Sequence, residues 1–347
     1  MSSKVSRRRA LAACGAIALT PLVGCTMQPV TSFAGATMGT RYQVRMRSNG
    51  ALQAKLPSLQ KTAATVLAEL ERELSTYQPQ SDVARFNRAN LNDWVAVGAT
   101  TAHITKTALQ VSALSRSAFD PTVGPLVALW GFGPDGRGKQ LPSPSHVSDV
   151  LATVGTSNIE QDGEMLRKRH LGVGIDLNGI AKGYAVDALA QLLERYGIND
   201  YLVDIGGELR ARGTRDGTQP WRVGILDPLT AEASAMLALD LRDQAIATSG
   251  NYFNYFVANG RRYSHNIDPR TGTPIRHRTV SVTVIAKDAM EADAWSTALM
   301  TLGRQQGAAL AAQLELAALF LDHDGSGGST RFATPALRFS HPGLAAS

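Results

Sequence analysis

Asp293 and Thr297 stand four residues apart in a segment whose apolar spacing predicts a helix, so their side chains share one face. A carboxylate beside a hydroxyl is hard-oxygen chemistry, suited to Mg²⁺ rather than zinc. Taken alone, an acid in the first turn of a helix is equally explained by the macrodipole. The run from Asp176 through Asn178, Gly179 and Lys182 to Tyr184 reads as a strand end, a glycine-bearing turn and a helix start. Unpaired N–H groups at such a start, with Lys182 in the first turn, favour an anion such as phosphate. A capped junction with a solvated lysine fits the same residues. Two further segments, 248–252 and 264–272, read as polar turns. The second carries His265, a candidate general base near neutral pH. A lone histidine in a turn is more often simply exposed.

The elements that must position these groups follow from periodicity. Residues 40–47 alternate as a strand. Residues 52–74 carry Leu59, Ala63, Val66, Leu67, Leu70 and Leu74 at helical spacing. Residues 102–117 predict a second helix, and the Gly- and Pro-rich stretch 131–145 an excursion. A helix over 179–196 ends at Gly197. Strands are expected at 201–205, 208–213, 222–225, 236–241, 252–257 and 279–285. Helices at 289–302 and 305–314 and a strand at 317–321 follow. Helices and strands do not alternate regularly. The expected class is therefore α+β, with largely antiparallel sheets and packed helices in a single catalytic unit.

Composition narrows the function classes. With 44% hydrophobic and 18% charged residues, the chain is globular rather than disordered or low-complexity. The formal charge of +6 misleads. Lys4, Arg7, Arg8 and Arg9 fall in the first 25 residues, which hold no acid, and the remaining charges are nearly balanced and dispersed. No nucleic-acid surface is expected. Only Cys14 and Cys25 are present, so nothing after Cys25 offers a thiol nucleophile, a disulfide framework or a zinc–thiolate site.

The first residues read as an export address. Arg7-Arg8-Arg9 is the positive region, and residues 10–23 form an apolar run too short to span a bilayer comfortably. Leu22-Val23-Gly24-Cys25 resembles a lipobox, where bacterial lipoproteins are cleaved and acylated on cysteine. Leu11-Ala12-Ala13-Cys14 fits the pattern too, but almost no apolar run precedes it. The expected division is a lipoprotein signal peptide at 1–24, a lipidated tether at 25–36 and a catalytic domain at 37–347. That domain is expected outside the cytoplasm, lipid-anchored to a bacterial membrane and facing the periplasm.

Three motif matches are rejected on context. Gly131-Phe132-Gly133-Pro134-Asp135-Gly136 satisfies G-x-G-x-x-G, but no strand precedes it and Pro134 stops a helix from opening. The near-P-loop 133–140 ends in Gln140, where Ser or Thr is required. Asp322-His323-Asp324-Gly325 begins like a calcium loop, yet Ala333 stands where a bidentate Glu is needed.

Taken together, the segments resemble the ApbE family of FAD:protein FMN transferases. The resemblance rests on Met38-Gly39-Thr40, Ser75-Thr76-Tyr77, the run from Phe119 to Leu126, Trp130 to Gly133, Asp176 to Tyr184, Ile205 to Glu208, Ala247 to Gly250, His265 to Gly272 and Ala292 to Thr297. It implies Mg²⁺-dependent transfer of FMN from FAD to a Thr or Ser hydroxyl of a partner protein, with AMP leaving. It implies an ApbE-like, tunnelling-fold-like architecture. FAD contacts would fall on Met38, Tyr77, Ala118, Phe119, Asp120, Asp176, Lys182 and Ile267. Magnesium contacts would fall on Gly179 through its carbonyl, Asp293, Ser296 through its backbone oxygen, and Thr297. Lys182 and His265 would carry the chemistry. Asn178 replaces a glycine common at its place. Candidate acceptors are subunits of Nqr- or Rnf-type redox pumps bearing a Ser/Thr-Gly-Ala-Ser/Thr sequence. Two alternatives stay open: a FAD pyrophosphatase giving FMN and AMP, and a non-catalytic FAD-binding lipoprotein. Members with the hydrolytic activity tend to carry Asn at the place of Tyr77.

Overall fold

Eight strands form one antiparallel sheet whose spatial order is also their order in the chain. They are β1 (Val30–Thr37), β2 (Thr40–Arg47), β3 (Tyr201–Ile205), β4 (Glu208–Arg212), β5 (Gln244–Gly250), β6 (Thr279–Ala286), β7 (Ala317–His323) and β8 (Ser329–Ala333). The computed structural model describes residues 29–48, 50–133, 141–229, 235–252, 254–341 and 343. Cys14, Cys25, the expected signal peptide and most of the near-P-loop segment lie outside these residues.

Three helices cover one face of the sheet: α1 (Gly50–Leu74), α2 (Asn178–Arg195) and α3 (Ala289–Gln313). Alternation along the strands decides which residues meet them. Val44, Met46, Val203, Ile205, Val282, Val284 and Phe320 point into the core shared with these helices. Leu202, Ile246, Val280, Leu319 and Leu321 point the other way. There the ribbon formed by Trp221–Leu226 and Ala235–Leu241 covers them with Trp221, Val223 and Leu241. The expected α+β class with largely antiparallel pairing is the one found.

Boundaries agree where periodicity is strong and differ where it is weak. The strand at 40–47 and the strand at 201–205 have the expected limits. The expected interruption near residue 303 is also present. Gly303 has φ 68°, and a Cβ there would lie 2.7 Å from the ring of His277, so the helix breaks where only glycine fits. Two readings are corrected. Residues 30–36, expected as tether, belong to β1, which pairs with β2 across a tight turn at Met38 (φ 47°) and Gly39 (φ 71°). Only Phe33 and Thr37 of β1 are buried, which is why the edge strand looked like linker. Residues 248–250, expected as turn, are the end of β5. Their hydroxyls are satisfied inside the fold, as Thr248 Oγ1 pairs with Thr283 Oγ1 at 2.8 Å.

Candidate active site

The sheet parts beside its centre. β4 and β5 pair only from Gln244↔Ala211 to Ile246↔Leu209, while β5 runs on to Gly250. A cavity of about 970 Å³ opens beside this parting. Its wall gathers the N-terminal turns of α2, the first turns of α3, the end of β5 and the segments around Phe119 and His265.

Most of the expected residues meet there. Tyr77, Ala118, Phe119, Asp120, Asp176, Gly179, Lys182, His265, Ile267, Asp293 and Thr297 all line the cavity, although they span more than 200 residues of chain. Tyr77 stands at the rim, 63% exposed. Two do not line it. Met38 sits in the β1–β2 turn, partly buried against the main core, with its N–H bonded to Glu71. Ser296 is fully buried, its hydroxyl donating to the Asp293 carbonyl over 2.9 Å and pairing with Ser249 at 2.8 Å.

Each positioned group has a local cause. The Asp176 N–H donates to the Pro121 carbonyl over 2.7 Å, which locks the Phe119–Asp120 turn beside the start of α2. The Asp176 carboxylate then accepts from the Asn178 N–H over 2.9 Å. Burial pushes the Asp176 carboxyl up, against that bond. Asp120 is likewise pushed up by burial, opposed by two bonds from Thr122. Asp293 Oδ2 accepts from the Gly183 N–H over 3.0 Å, joining α3 to α2. Burial raises the Asp293 carboxyl, against the pull of Lys182 and the Gly183 bond. Thr297 lies one turn further along α3, opposite Gly179, where a Cβ would come within 3.2 Å of Thr297 Oγ1.

Lys182 is ion-paired with Glu208. Burial favours loss of its proton, but the charges of Asp293 and Glu208 outweigh burial and hold the ammonium above the usual lysine range. His265 places Nδ1 3.0 Å from the Asn254 carbonyl. A carbonyl only accepts, so Nδ1 carries the proton and the neutral ring keeps its lone pair at Nε2. Burial lowers the His265 pKa, the Asn254 bond opposes, and the charge of Lys182 lowers it further. The ring is therefore neutral at neutral pH.

The donor set at Asp293 suits a hard cation. Among the described residues no three His, Cys, Asp or Glu side chains converge as a metal cluster. Around Asp293 the oxygens on offer are its own carboxylate, the Thr297 hydroxyl and the backbone of Gly179, a sparse set typical of Mg²⁺ that shares its coordination with phosphate and water. Glu208, Ser249 and Asn254 complete the site and carried no role on sequence grounds. Glu208 and Ser249 fall within family-like motifs, and their contacts to Lys182 and Ser296 were not readable from spacing.

The profile of the ApbE family matches residues 38–320. The chain belongs to the ApbE family. It is 40% identical over 289 residues to the FAD:protein FMN transferase of Vibrio cholerae, covering 83% of this chain and 86% of that one. It is 38% identical over 322 residues to the FAD:protein FMN transferase of Escherichia coli K12, covering 89% and 91%. The crystal structure of Pseudomonas stutzeri flavinyl transferase ApbE in its apo form superposes with a TM-score of 0.82 at 38% identity, over 91% of this chain and 98% of that one. The ApbE flavin transferase of Vibrio cholerae superposes with the same score at 35% identity, over 89% and 98%.

Proposed function

We propose that this ApbE-family protein transfers FMN from FAD to a Ser or Thr hydroxyl of an acceptor protein, using Mg²⁺ and releasing AMP. The observation that carries the reading is the convergence in one cavity of the expected FAD residues other than Met38, the Asp293–Thr297 oxygen pair and a neutral His265. The names of the relatives supply the substrate.

In this reading the acceptor hydroxyl attacks the phosphorus on the FMN side of the pyrophosphate. The bond to the bridging oxygen breaks, and AMP departs with the electron pair. His265 Nε2 takes the hydroxyl proton. Lys182 supplies positive charge to the pyrophosphate, and the Phe119–Asp120 turn and Asp176 position the dinucleotide. Mg²⁺, held by Asp293, Thr297 and the Gly179 carbonyl, would polarise the phosphate oxygens and steady the leaving group. Ser296 contributes at most its carbonyl, because its hydroxyl is taken up within the wall. Tyr77 at the rim offers an aromatic face to a planar ring.

The reading extends to place and partner. Cys25 would carry the lipid, holding the domain on the periplasmic face of a bacterial membrane. The acceptor would present a Ser/Thr-Gly-Ala-Ser/Thr segment, as in Nqr- or Rnf-type subunits. The test incubates the protein with FAD and Mg²⁺, with and without a protein bearing that segment, and follows acceptor mass and free FMN. Acceptor gaining the mass of an FMN phosphoester, with AMP released, supports transfer. Free FMN without labelling supports hydrolysis, and unchanged FAD supports a binding protein.

A further inference from the structure

Glu208 has no part in the chemistry above, yet it lines the cavity at the start of β4, with its side chain only 3% exposed. One carboxylate oxygen, Oε1, accepts from Lys182 Nζ. The other, Oε2, is buried without a hydrogen-bond partner. Lys182 therefore feels two carboxylates, and Asp293 is bonded to the N–H of the next residue, Gly183. The lysine is ion-paired with Glu208, while Asp293 acts on it through its charge.

As a structural device this arrangement is poor. Burying the Glu208 carboxylate costs hydration that its attraction to a half-buried Lys182 barely repays, and leaving one oxygen unpaired costs more. What the pair does accomplish is to fix an ammonium on a long, flexible stem. Released from Glu208, that ammonium still feels the charge of Asp293, whose carboxylate is held on the neighbouring Gly183 N–H. An ammonium seated on Asp293 would take the place a divalent cation needs.

We propose that Glu208 is a positioning residue that tethers Lys182 and thereby keeps Asp293 open to a divalent cation. This rests on the metal reading of Asp293 given above. Glu208 acts through Lys182 and does not ligate the ion.

The test is direct Mn²⁺ binding to the full-length protein without FAD, read from the electron paramagnetic resonance signal of free Mn²⁺. Wild type is compared with Glu208→Gln, Glu208→Asp, Lys182→Met, the Glu208→Gln/Lys182→Met pair and Asp293→Asn, each checked for folding by thermal melting. Glu208→Gln is expected to weaken binding by about tenfold. Glu208→Asp keeps the negative charge but shortens the tether, and it should weaken binding as well. The double variant should return to within about threefold of wild type, because no ammonium remains to compete. Wild-type affinity in Glu208→Gln or Glu208→Asp, or a double variant as weak as Glu208→Gln, overturns the tether. If wild type binds Mn²⁺ no better than Asp293→Asn, the metal reading falls and the tether falls with it. Binding that depends on Asp293 but ignores Glu208 overturns the tether alone.

Discussion

Gly183 and Asp293 meet where α2 crosses α3. The Gly183 N–H donates to Asp293 Oδ2 over 3.0 Å, and a Cβ at position 183 would lie 2.8 Å from the Asp293 Cβ and 2.1 Å from the Ala289 carbonyl oxygen. The Asp293 carboxylate in the cavity wall is thus aimed by a helix crossing that tolerates no side chain. Gly183→Ala should force the helices apart. The expected loss is about 1–3 kcal/mol of stability, typical of overpacking, with a larger fractional loss of FMN transfer. Urea denaturation and the transfer assay on the same preparation check this. A variant with native stability and activity would show that the crossing relaxes freely.

Asp293→Asn keeps an oxygen for the Gly183 N–H but removes the charge offered to a cation. The fold should survive. Losing several kcal/mol of charge stabilisation corresponds to more than about a hundredfold in rate. Wild type stripped by a chelator should fall to the same level and recover with Mg²⁺, whereas the variant should not recover. Full activity of Asp293→Asn in chelator removes the metal role.

His265→Ala should lose transfer by about 10²–10⁴ while still binding FAD. The pH profile carries a sign. Only the neutral ring takes a proton, and burial holds its pKa below the ordinary 6.5. The acidic limb of wild-type kcat/KM is therefore expected below pH 6.5, with a plateau above it. In His265→Ala that limb should vanish, and the rate should climb at alkaline pH as hydroxide substitutes for the base. Superimposable profiles for the two proteins eliminate His265 as the base.

Cys25→Ser should leave the protein in the soluble fraction or stall its processing. The wild type should partition with membranes and carry an acylated N-terminal cysteine by mass spectrometry. An unmodified native N-terminus elsewhere in the chain would refute the anchor.

What could be read from residues alone depended on how far each signal had to reach. The strand Thr40–Arg47 has the expected limits because one face is buried and the other is not. The Asp293–Thr297 pair was legible because helical spacing is local. β1 escaped because an edge strand with two buried residues has little pattern to show. The end of β5 escaped for a different reason. Thr248, Ser249 and Gly250 read as a turn, but the hydroxyls of the first two face other hydroxyls, Thr248 lying 2.8 Å from Thr283 and Ser249 2.8 Å from Ser296 and 3.2 Å from Thr297. Polar residues inside a sheet are a property of the site, not of the strand. Glu208 could be quoted as a motif and still not be assigned, because its partner Lys182 lies on another element 26 residues away.

The crossing of α2 and α3 also sets when the protein becomes functional during its synthesis. The bond between Gly183 and Asp293 spans 110 residues, and the wall lacks Asp293, Thr297 and Thr301 until the second of those helices has docked. Closing so long a stretch of chain carries an entropic cost that local contacts do not. A chain still being made, or held unfolded, therefore presents the early FAD-type residues on separate segments with nothing to gather them. It should neither hold nor hydrolyse the dinucleotide. Activity is expected only once residues 289–302 have packed against residues 178–195.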